Sequence, residues 1–576
     1  MTTENKRNSS NHLLHVLFDE QQRARYISDE AIKSIAEKLK LPRAQVESVV
    51  EFYAFFHRQP RGSFDILFSN CTSCGALDMM SRLCERLNVI PDETRADGRV
   101  SISQASCIGM CDHGPSALVN GRTVTSISSD VIDHMAELVE SDTDFSCWPA
   151  SWFKIGNNIR KEGLLLSESF EPGSALKAME GRSSDEILDE ITNSGLKGRG
   201  GAGFATGMKW RFCRDAESQT RYVVCNADEG EPGTFKDRVL LNSHADEVFE
   251  GMSICASVIG ATQGYLYLRG EYRYMLEALE ATLQNRRESG LLGHNMLGQS
   301  FDIAIVVGAG AYICGEESAL IESIEEKRGI PRIRPPFPVT SGLWGEPTVV
   351  NNVETLAAAA KIVLHGHDWF ESHGTWQSKG SKLLSVSGDC ARPGIYEYAF
   401  GITVQQVLDD AGAEHVQAVQ IGGPAGKLIG SDHFEHHIAF EDLATGGSFM
   451  IFDRDRNLLA VIANFSHFFA HESCGFCTPC RVGTQLLKNG MDKLCNGHAT
   501  ARDIKEIKHT SGLVACHSHC GLGATAANPI RDGLKYFPEL FENRLLHREM
   551  EPEFDLDGSL AKARAITRRD DAEAHL

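Results

Sequence analysis

The stretch FDIAIVVGAGAYICGEESALIESIE, residues 301–325, reads as a strand, a glycine-rich loop and a helix in direct succession. Its first half is a short apolar run bounded by glycine, as expected of a strand buried on both faces. Its second half spaces apolar residues as a helix does. Upstream, RYVVCNA (221–227) and GYLYLRG (264–270) repeat the strand pattern among helical stretches that begin with SSDEILDEITNSGL (183–196). Strands alternating with helices in this way predict an α/β domain with a mainly open sheet over residues 183–375.

Working outward, residues 376–452 contain short strands and glycine-rich turns, QIGGPAG (420–426) and GGSFMIFD (446–453), and predict a small β-rich module. Residues 453–545 become helical in four glycine-punctuated segments, consistent with a helical bundle. The polar end, 546–576, is an extension that forms an arm or an exposed helix. On the other side, 146–182 has weak periodicity and reads as a linker. Residues 1–60 read as helices: SDEAIKSIAEKL (28–39) opens with Ser28 as N-cap. Residues 61–145 form a small α/β unit, with strands SFDILFS (63–69) and RVSISQAS (99–106) and a hairpin turning at Asn120-Gly121. The first 145 residues are expected to be self-contained.

The formal net charge of −21 argues against nucleic-acid binding, which needs a basic patch or stripe. No apolar run approaches the roughly 18 residues of a membrane span. The N-terminal MTTENKRNSSNHLL lacks the apolar core of an export signal. A soluble cytoplasmic protein is expected, and its 17 cysteines are then thiols rather than disulfides.

Several of those thiols cluster. Cys474, Cys477 and Cys480 form a C-x2-C-x2-C run, which suits one corner-sharing iron–sulfur cubane with a fourth ligand from elsewhere. Cys520, in the glycine-flanked HSHCGLG, is the preferred fourth ligand; Cys516 and Cys495 compete with it. A zinc site using His471, His517 or His519 is the alternative. A second set pairs Cys71 and Cys74 (C-x2-C) with Cys107 and Cys111 (C-x3-C), each pair just after a strand. By count alone these four thiolates serve a 2Fe–2S cluster or zinc equally well.

Gly198-Arg199-Gly200-Gly201-Ala202-Gly203-Phe204 formally satisfies G-x-G-x-x-G, but a helical stretch precedes it where a dinucleotide fingerprint requires a strand. The loop remains able to bring backbone N–H groups close to a phosphate or a flat ring, with Arg199 and Lys209 nearby. Beyond two strands lie Asn226-Ala-Asp228-Glu229-Gly-Glu231 and Tyr312-Ile-Cys-Gly315-Glu316-Glu317, where open α/β sheets bind ligands. Either alone reads as a solvated loop; together with the glycine loop they predict a site. IPRIRPPFPV (330–339) and VVNNVET (349–355) are placed to close it.

In order, GRGGAGFATGMKW, NADEGEPGTFKDR, GAGAYICGEESAL, PPFP, NNVET and ESCGFCTPCR resemble the flavin-binding NADH subunits of respiratory complex I, NAD-reducing NiFe hydrogenases and NAD-dependent formate dehydrogenases. The likeness spans about residues 183–545. The N-terminal region resembles the thioredoxin-like 2Fe–2S subunit of complex I, joined here into the same chain. With its C-terminal extension, the whole is most similar to the diaphorase alpha subunits of NAD-reducing hydrogenases. The implied architecture is N-terminal helices, a thioredoxin-like domain, an α/β FMN-binding domain, a small ubiquitin-like β-rich module and a helical bundle.

The resemblance implies FMN, NAD(H), a 4Fe–4S cluster and a 2Fe–2S cluster. It places FMN against Gly198, Arg199, Gly200, Gly201, Lys209, Asn226, Asp228, Glu229, Tyr312, Gly315, Glu316, Asn351, Asn352 and Thr355. Phe204, Glu231, Glu317 and Phe337 fall on the nicotinamide nucleotide, with Phe204 stacking on adenine. Cys474, Cys477, Cys480 and Cys520 match the 4Fe–4S ligands, and Cys516 is additional. One departure is the C-x2-C at Cys71 and Cys74, where the family usually has C-x4-C; all four thiols are nevertheless retained. Hydride exchange between NAD(H) and FMN, followed by one-electron transfer with the clusters, is the implied activity, with no acid–base residue needed on the nicotinamide. The chain lacks the two further cysteine pairs of a NiFe site, so hydrogen chemistry falls to partners: an iron–sulfur subunit and the hydrogenase large and small subunits. Service to a formate dehydrogenase or complex I is the alternative, and a non-enzymatic iron–sulfur or zinc scaffold is the reading from another class.

Overall fold

The computed structural model describes residues 12–75, 77–167, 170–296, 299–547 and 556–570. Three mixed sheets organise them. The first holds β1 (Phe64–Ser69), β2 (Val100–Ala105), β3 (Ala117–Val119) and β4 (Arg122–Val124) in the order β2-β1-β3-β4. β1 and β2 are parallel, while β3 runs antiparallel to β1 and β4. Asn120 and Gly121 turn the last hairpin with φ of 50° and 78°, the left-handed pair that follows the strands' own twist. Helices Leu77–Leu87 and Ser129–Glu140 bury Leu83, Leu87, Ile132 and Met135 against Phe64, Ile66 and Phe68. This is the thioredoxin-like unit.

The expected linker is more than a connection. It supplies β5 (Ile159–Lys161), a parallel edge strand of the third sheet, and the helix Ser174–Ala178. Its weak periodicity reflects elements too short to show one.

The second sheet contains β6 (Tyr222–Ala227), β7 (Gln263–Leu268), β8 (Gly293–Met296), β9 (Gln299–Val307) and β10 (Thr348–Asn352), ordered β10-β6-β7-β9-β8. All pairs are parallel except β8 with β9. Alternation along the strands assigns the faces. Val223, Cys225, Leu266, Ile303, Ile305 and Val349 share a core with helices Ala245–Ile259 and Val353–His365. Tyr222, Val224, Tyr265, Tyr267, Val306 and Val350 share another with helix Glu317–Ile324 and the N-terminal helices Leu13–Ala24, Asp29–Leu39 and Arg43–Phe52.

The first 145 residues are therefore not self-contained. Leu13, Leu14 and Leu17 of the first helix are buried in a core shared with the second sheet, and Tyr53 donates its hydroxyl to Ser323 Oγ at 2.7 Å. The physical reason is that a parallel sheet needs both faces covered.

The third sheet comprises β11 (Ser381–Gly388), β12 (Gly394–Ala399), β13 (Val416–Ile421), β14 (Lys427–Gly430) and β15 (Ser448–Asp453), ordered β14-β13-β15-β11-β12-β5, with helix Val404–Ala411 on its apolar face. The C-terminal region packs helices Leu458–Glu472, Thr478–Cys495, Ala501–His517 and Asn528–Tyr536. A further helix, Leu556–Thr567, buries no residue. Among the described residues, no helix is long and apolar enough to cross a membrane.

Candidate functional site

Parallel strands β6, β9 and β10 end at one edge of the second sheet; the chain leaves β6 and β9 through loops rich in glycine and acids, and passes from β10 straight into helix Val353–His365 with Asn352 as its N-cap. A cavity of about 500 Å³ lies at this edge. Gly200 and Gly201 reach it from the glycine loop, Asn226, Asp228, Glu229 and Glu231 from beyond β6, Tyr312, Gly315 and Glu316 from beyond β9, and Asn352 from the end of β10. The glycine loop is folded on itself: Gly198 N donates to the Phe204 carbonyl at 2.8 Å. Gly203, at φ 65°, sits where a Cβ would lie 2.6 Å from the Phe440 ring, so the loop cannot carry a side chain there.

The acids are held individually. Asn226 donates to the Gly315 carbonyl at 2.7 Å and accepts from Asp228 N at 3.1 Å, tying two loops together. Glu229 accepts from Asp237 N (2.8 Å) and Arg238 N (3.1 Å), at the start of helix Lys236–Ser243, and from the Tyr272 hydroxyl (3.0 Å). Burial raises its carboxyl to about 7. Glu231 accepts from the Tyr312 hydroxyl at 2.5 Å and from Ala425 N at 2.9 Å, and burial pushes it to about 7 as well. Glu316 caps helix Glu317–Ile324 by accepting from Ser318 N and Ala319 N, both at 3.0 Å. Asp228 Oδ2 finds no partner among the described residues, and burial holds its carboxyl well above the usual range. An orphaned buried carboxyl inside a hollow lined by glycine backbone and acids fits a ligand rich in hydroxyl and amide groups, such as the ribityl chain and ring system of FMN or the riboses of NAD(H).

Not every expected residue lines this cavity. The Arg199 guanidinium turns away, donating to the carbonyls of Lys197 (3.1 Å) and Lys379 (2.8 Å) and lying 4.8 Å from the Phe400 ring centre. Thr355 Oγ1 accepts from Arg199 N at 2.9 Å, and Asn351 Oδ1 from Trp210 at 2.8 Å, so both brace the loop from behind. Lys209 Nζ lies between Glu317 Oε2 (2.9 Å) and the Val350 carbonyl (3.0 Å). Phe204 and Phe337 are about half exposed and stand outside the cavity. The sequence reading missed the contribution of the third sheet: Gly422, Ala425, Thr445 and Gly446 also line it, as do Lys236 and Asp237. QIGGPAG and GGSFMIFD carried the signal, because glycine clusters beside strand ends mark close backbone approach.

Cys474, Cys477, Cys480 and Cys520 line a second, small hollow with Phe476 and His519. Cys516 is exposed, and Cys495 closes the far end of its helix without reaching the hollow. No three of the four sulfurs lie within 4.8 Å of one another. One tetrahedral zinc would space them by about 3.8 Å, so the donors suit a larger guest. Burial pushes the Cys480 thiol up to about 11 and raises Cys474 and Cys520, so a bound metal must displace their protons. Ile313 and Leu522 line both this hollow and the large cavity: the two sites share a wall.

In the thioredoxin-like unit all four cysteines are buried, and Cys71, Cys74 and Cys111 have sulfurs within 4.8 Å of one another. Hydrogen bonds from the Cys107, Cys111 and Cys74 thiols hold Cys71 well below an ordinary thiol. Arg269 connects the two regions: it donates to the Cys107 carbonyl at 2.7 Å and also to the carbonyl of Glu229.

Comparison with known proteins identifies the family. Residues 1–140 match the family described as thioredoxin-like [2Fe-2S] ferredoxin, 191–361 the Nuo51 FMN-binding domain, and 460–544 the NADH-ubiquinone oxidoreductase-F iron–sulfur binding region. The NAD-reducing hydrogenase HoxS subunit alpha of Cupriavidus necator is 40% identical over 97% of this chain and 96% of that protein. An NADH-quinone oxidoreductase subunit of Escherichia coli is 40% identical over 64% of this chain and 86% of its own. A crystal structure of an NAD+-reducing [NiFe]-hydrogenase in the H2-reduced state contains a chain with TM-score 0.92 and 40% identity, covering 98% of both chains.

Proposed function

From the premise that the chain belongs to the family of the NAD-reducing hydrogenase alpha subunit and its NADH-quinone oxidoreductase relatives, we propose how its residues perform the diaphorase reaction of such a hydrogenase. One observation carries the reading: the cavity fit for flavin and nicotinamide nucleotide shares the Ile313–Leu522 wall with the four-cysteine hollow. A two-electron site and a one-electron site are adjacent, parted by the side chains of Ile313 and Leu522. FMN, when bound, exchanges a hydride with NAD(H) and single electrons with iron–sulfur clusters. The loops beyond β6 and β9, with Gly200, Gly201 and Asn352, hold it, while Glu231 and Glu317 orient the nicotinamide nucleotide. Lys209 and Tyr312 fix those two carboxylates. No side chain need move a proton at the nicotinamide.

Cys474, Cys477, Cys480 and Cys520 hold the 4Fe–4S cluster, and Cys71, Cys74, Cys107 and Cys111 the 2Fe–2S cluster. Such a chain works with an iron–sulfur partner and with hydrogenase large and small subunits, in the cytoplasm, where its free thiols stay reduced. Identity to the HoxS alpha subunit along nearly the whole chain favours hydrogenase over formate dehydrogenase or complex I. Copurified partners should support hydrogen-driven but not formate-driven NAD+ reduction; the opposite preference would reassign the complex.

A further inference from the structure

A cavity of about 580 Å³, sharing no lining residue with the flavin cavity, opens where three units meet. The first helix brings Phe18 and Arg25, the thioredoxin-like sheet brings Asp65 and Arg122, and the turn Gly270–Met275 of the flavin domain brings Arg273 and Tyr274. Four guanidiniums line it, those of Arg25, Arg61, Arg122 and Arg273, against the single carboxylate of Asp65. Arg61 takes that carboxylate at 2.8 Å, and His57 lies 3.9 Å from it. Among the described residues, Arg273 pairs only with the largely exposed Asp19, at 3.9 Å. Neither Arg25 nor Arg122 pairs with a carboxylate among the described residues. In a chain of formal charge −21, so many arginines around one acid make a local field built for an anion.

The walls are aromatic as well. Arg273 lies 4.8 Å from the ring centre of Phe18 and Arg122 5.6 Å from that of Phe145, both rings lining the cavity. Phe55 and Tyr274 complete the apolar side. An inorganic anion would satisfy the guanidiniums and leave most of the volume and these rings unused. We propose that this cavity binds a nucleoside phosphate, its phosphates on Arg25, Arg122 and Arg273 and its base against the aromatic wall.

The location gives such a ligand leverage. Arg273 and Tyr274 sit on the turn that also carries Tyr272, hydrogen-bonded to Glu229, and follows Arg269, which joins the Cys107 loop to Glu229. Occupancy fixes that turn against the first helix and the thioredoxin-like sheet, and so couples nucleotide binding to the contact between the two redox regions.

The test is calorimetric titration of ADP into the full chain and into Arg122→Ala side by side, so that any ADP taken up at the flavin-side cavity is common to both. One ADP per chain is expected to be weakened about tenfold or more by Arg122→Ala and only partly restored by Arg122→Lys, which keeps the charge but loses the planar fork, with NADH oxidation by an artificial acceptor unchanged. The readout does not depend on flavin content. No binding in the native chain, or equal binding in Arg122→Ala, overturns the site. Inorganic pyrophosphate binding as tightly as ADP, or hexaglutamate displacing it at equal concentration, overturns the nucleotide assignment in favour of a plain anion or an acidic peptide.

Discussion

Arg238 spans the boundary between the flavin domain and the thioredoxin-like unit, donating from one nitrogen to both carboxylate oxygens of Asp112 at 3.0 and 2.9 Å, with both side chains buried. Asp112 is the residue after Cys111, and Arg238 follows Asp237, which lines the flavin cavity. A second Arg238 nitrogen donates to the Gly109 carbonyl within the same cysteine loop. Removing the guanidinium leaves a buried carboxylate with only His113 and Asn158 beside it, a loss of about 3 kcal/mol. Arg238→Leu should therefore lower Tm and deplete the iron and labile sulfide of the N-terminal cluster, while the 4Fe–4S signal persists. Calorimetry and metal analysis check this; an unchanged Tm with full iron would mean the two units are held together elsewhere.

The choice of fourth ligand separates cleanly in two variants. Cys520→Ser should remove the 4Fe–4S signal, because Cys520 lines the hollow, whereas Cys516→Ser should leave iron content untouched, because that thiol is exposed. Hydride transfer from NADH to flavin should survive in both, with electrons stranded before the partner in the first. Circular dichroism guards against partial unfolding of the helical bundle. Equal iron loss in the two variants would overturn the assignment.

Glu317 pairs with Lys209 at 2.9 Å rather than lining the flavin cavity. Glu317→Ala should raise KM for NADH roughly tenfold, the scale of a lost charge-assisted hydrogen bond, and leave FMN bound. Flavin absorbance after gel filtration and steady-state kinetics read the two effects separately. Loss of FMN in proportion would place this carboxylate on the flavin instead.

Much of this site was legible because its parts lie next to strands. Asn226, Asp228, Tyr312 and Gly315 each follow a short apolar run, and open parallel sheets gather such loops at one edge whatever the sequence distance between them. Direction was less legible than position. Arg199 adjoins the glycine loop as expected, yet its guanidinium points into the cage of Phe370, Phe400 and Phe440, where two carbonyls accept from it. Periodicity reports which face a residue takes only within a regular element, and a glycine loop has none. The N-terminal helices failed for a related reason: an amphipathic helix shows that it must pack on something, not on what. Leu13 and Leu17 have the same spacing whether they meet the nearby thioredoxin-like unit or a sheet more than two hundred residues away.

Glu231 offers a test by pH. Burial raises its carboxyl to about 7, above the ordinary 4.5, so the folded chain holds a proton there that the unfolded chain has already released. Folding takes up a proton between those two values, and stability contributed by the neutral form is complete below about 4.5 and lost as pH rises through 7. Glu231→Gln keeps a neutral side chain between the Tyr312 hydroxyl and Ala425 N at every pH. Its Tm should match that of the native chain near pH 5 and exceed it by roughly a few degrees at pH 8, measured without nucleotide. The ionised carboxylate is also the better acceptor for the ribose or amide donors of NADH. KM for the native chain should therefore climb as pH falls below 7, and the variant should lose that dependence while keeping its flavin. A Tm difference that stays constant from pH 5 to pH 8 would show that Glu231 is already ionised across that range and that its environment is wetter than its hydrogen bonds imply.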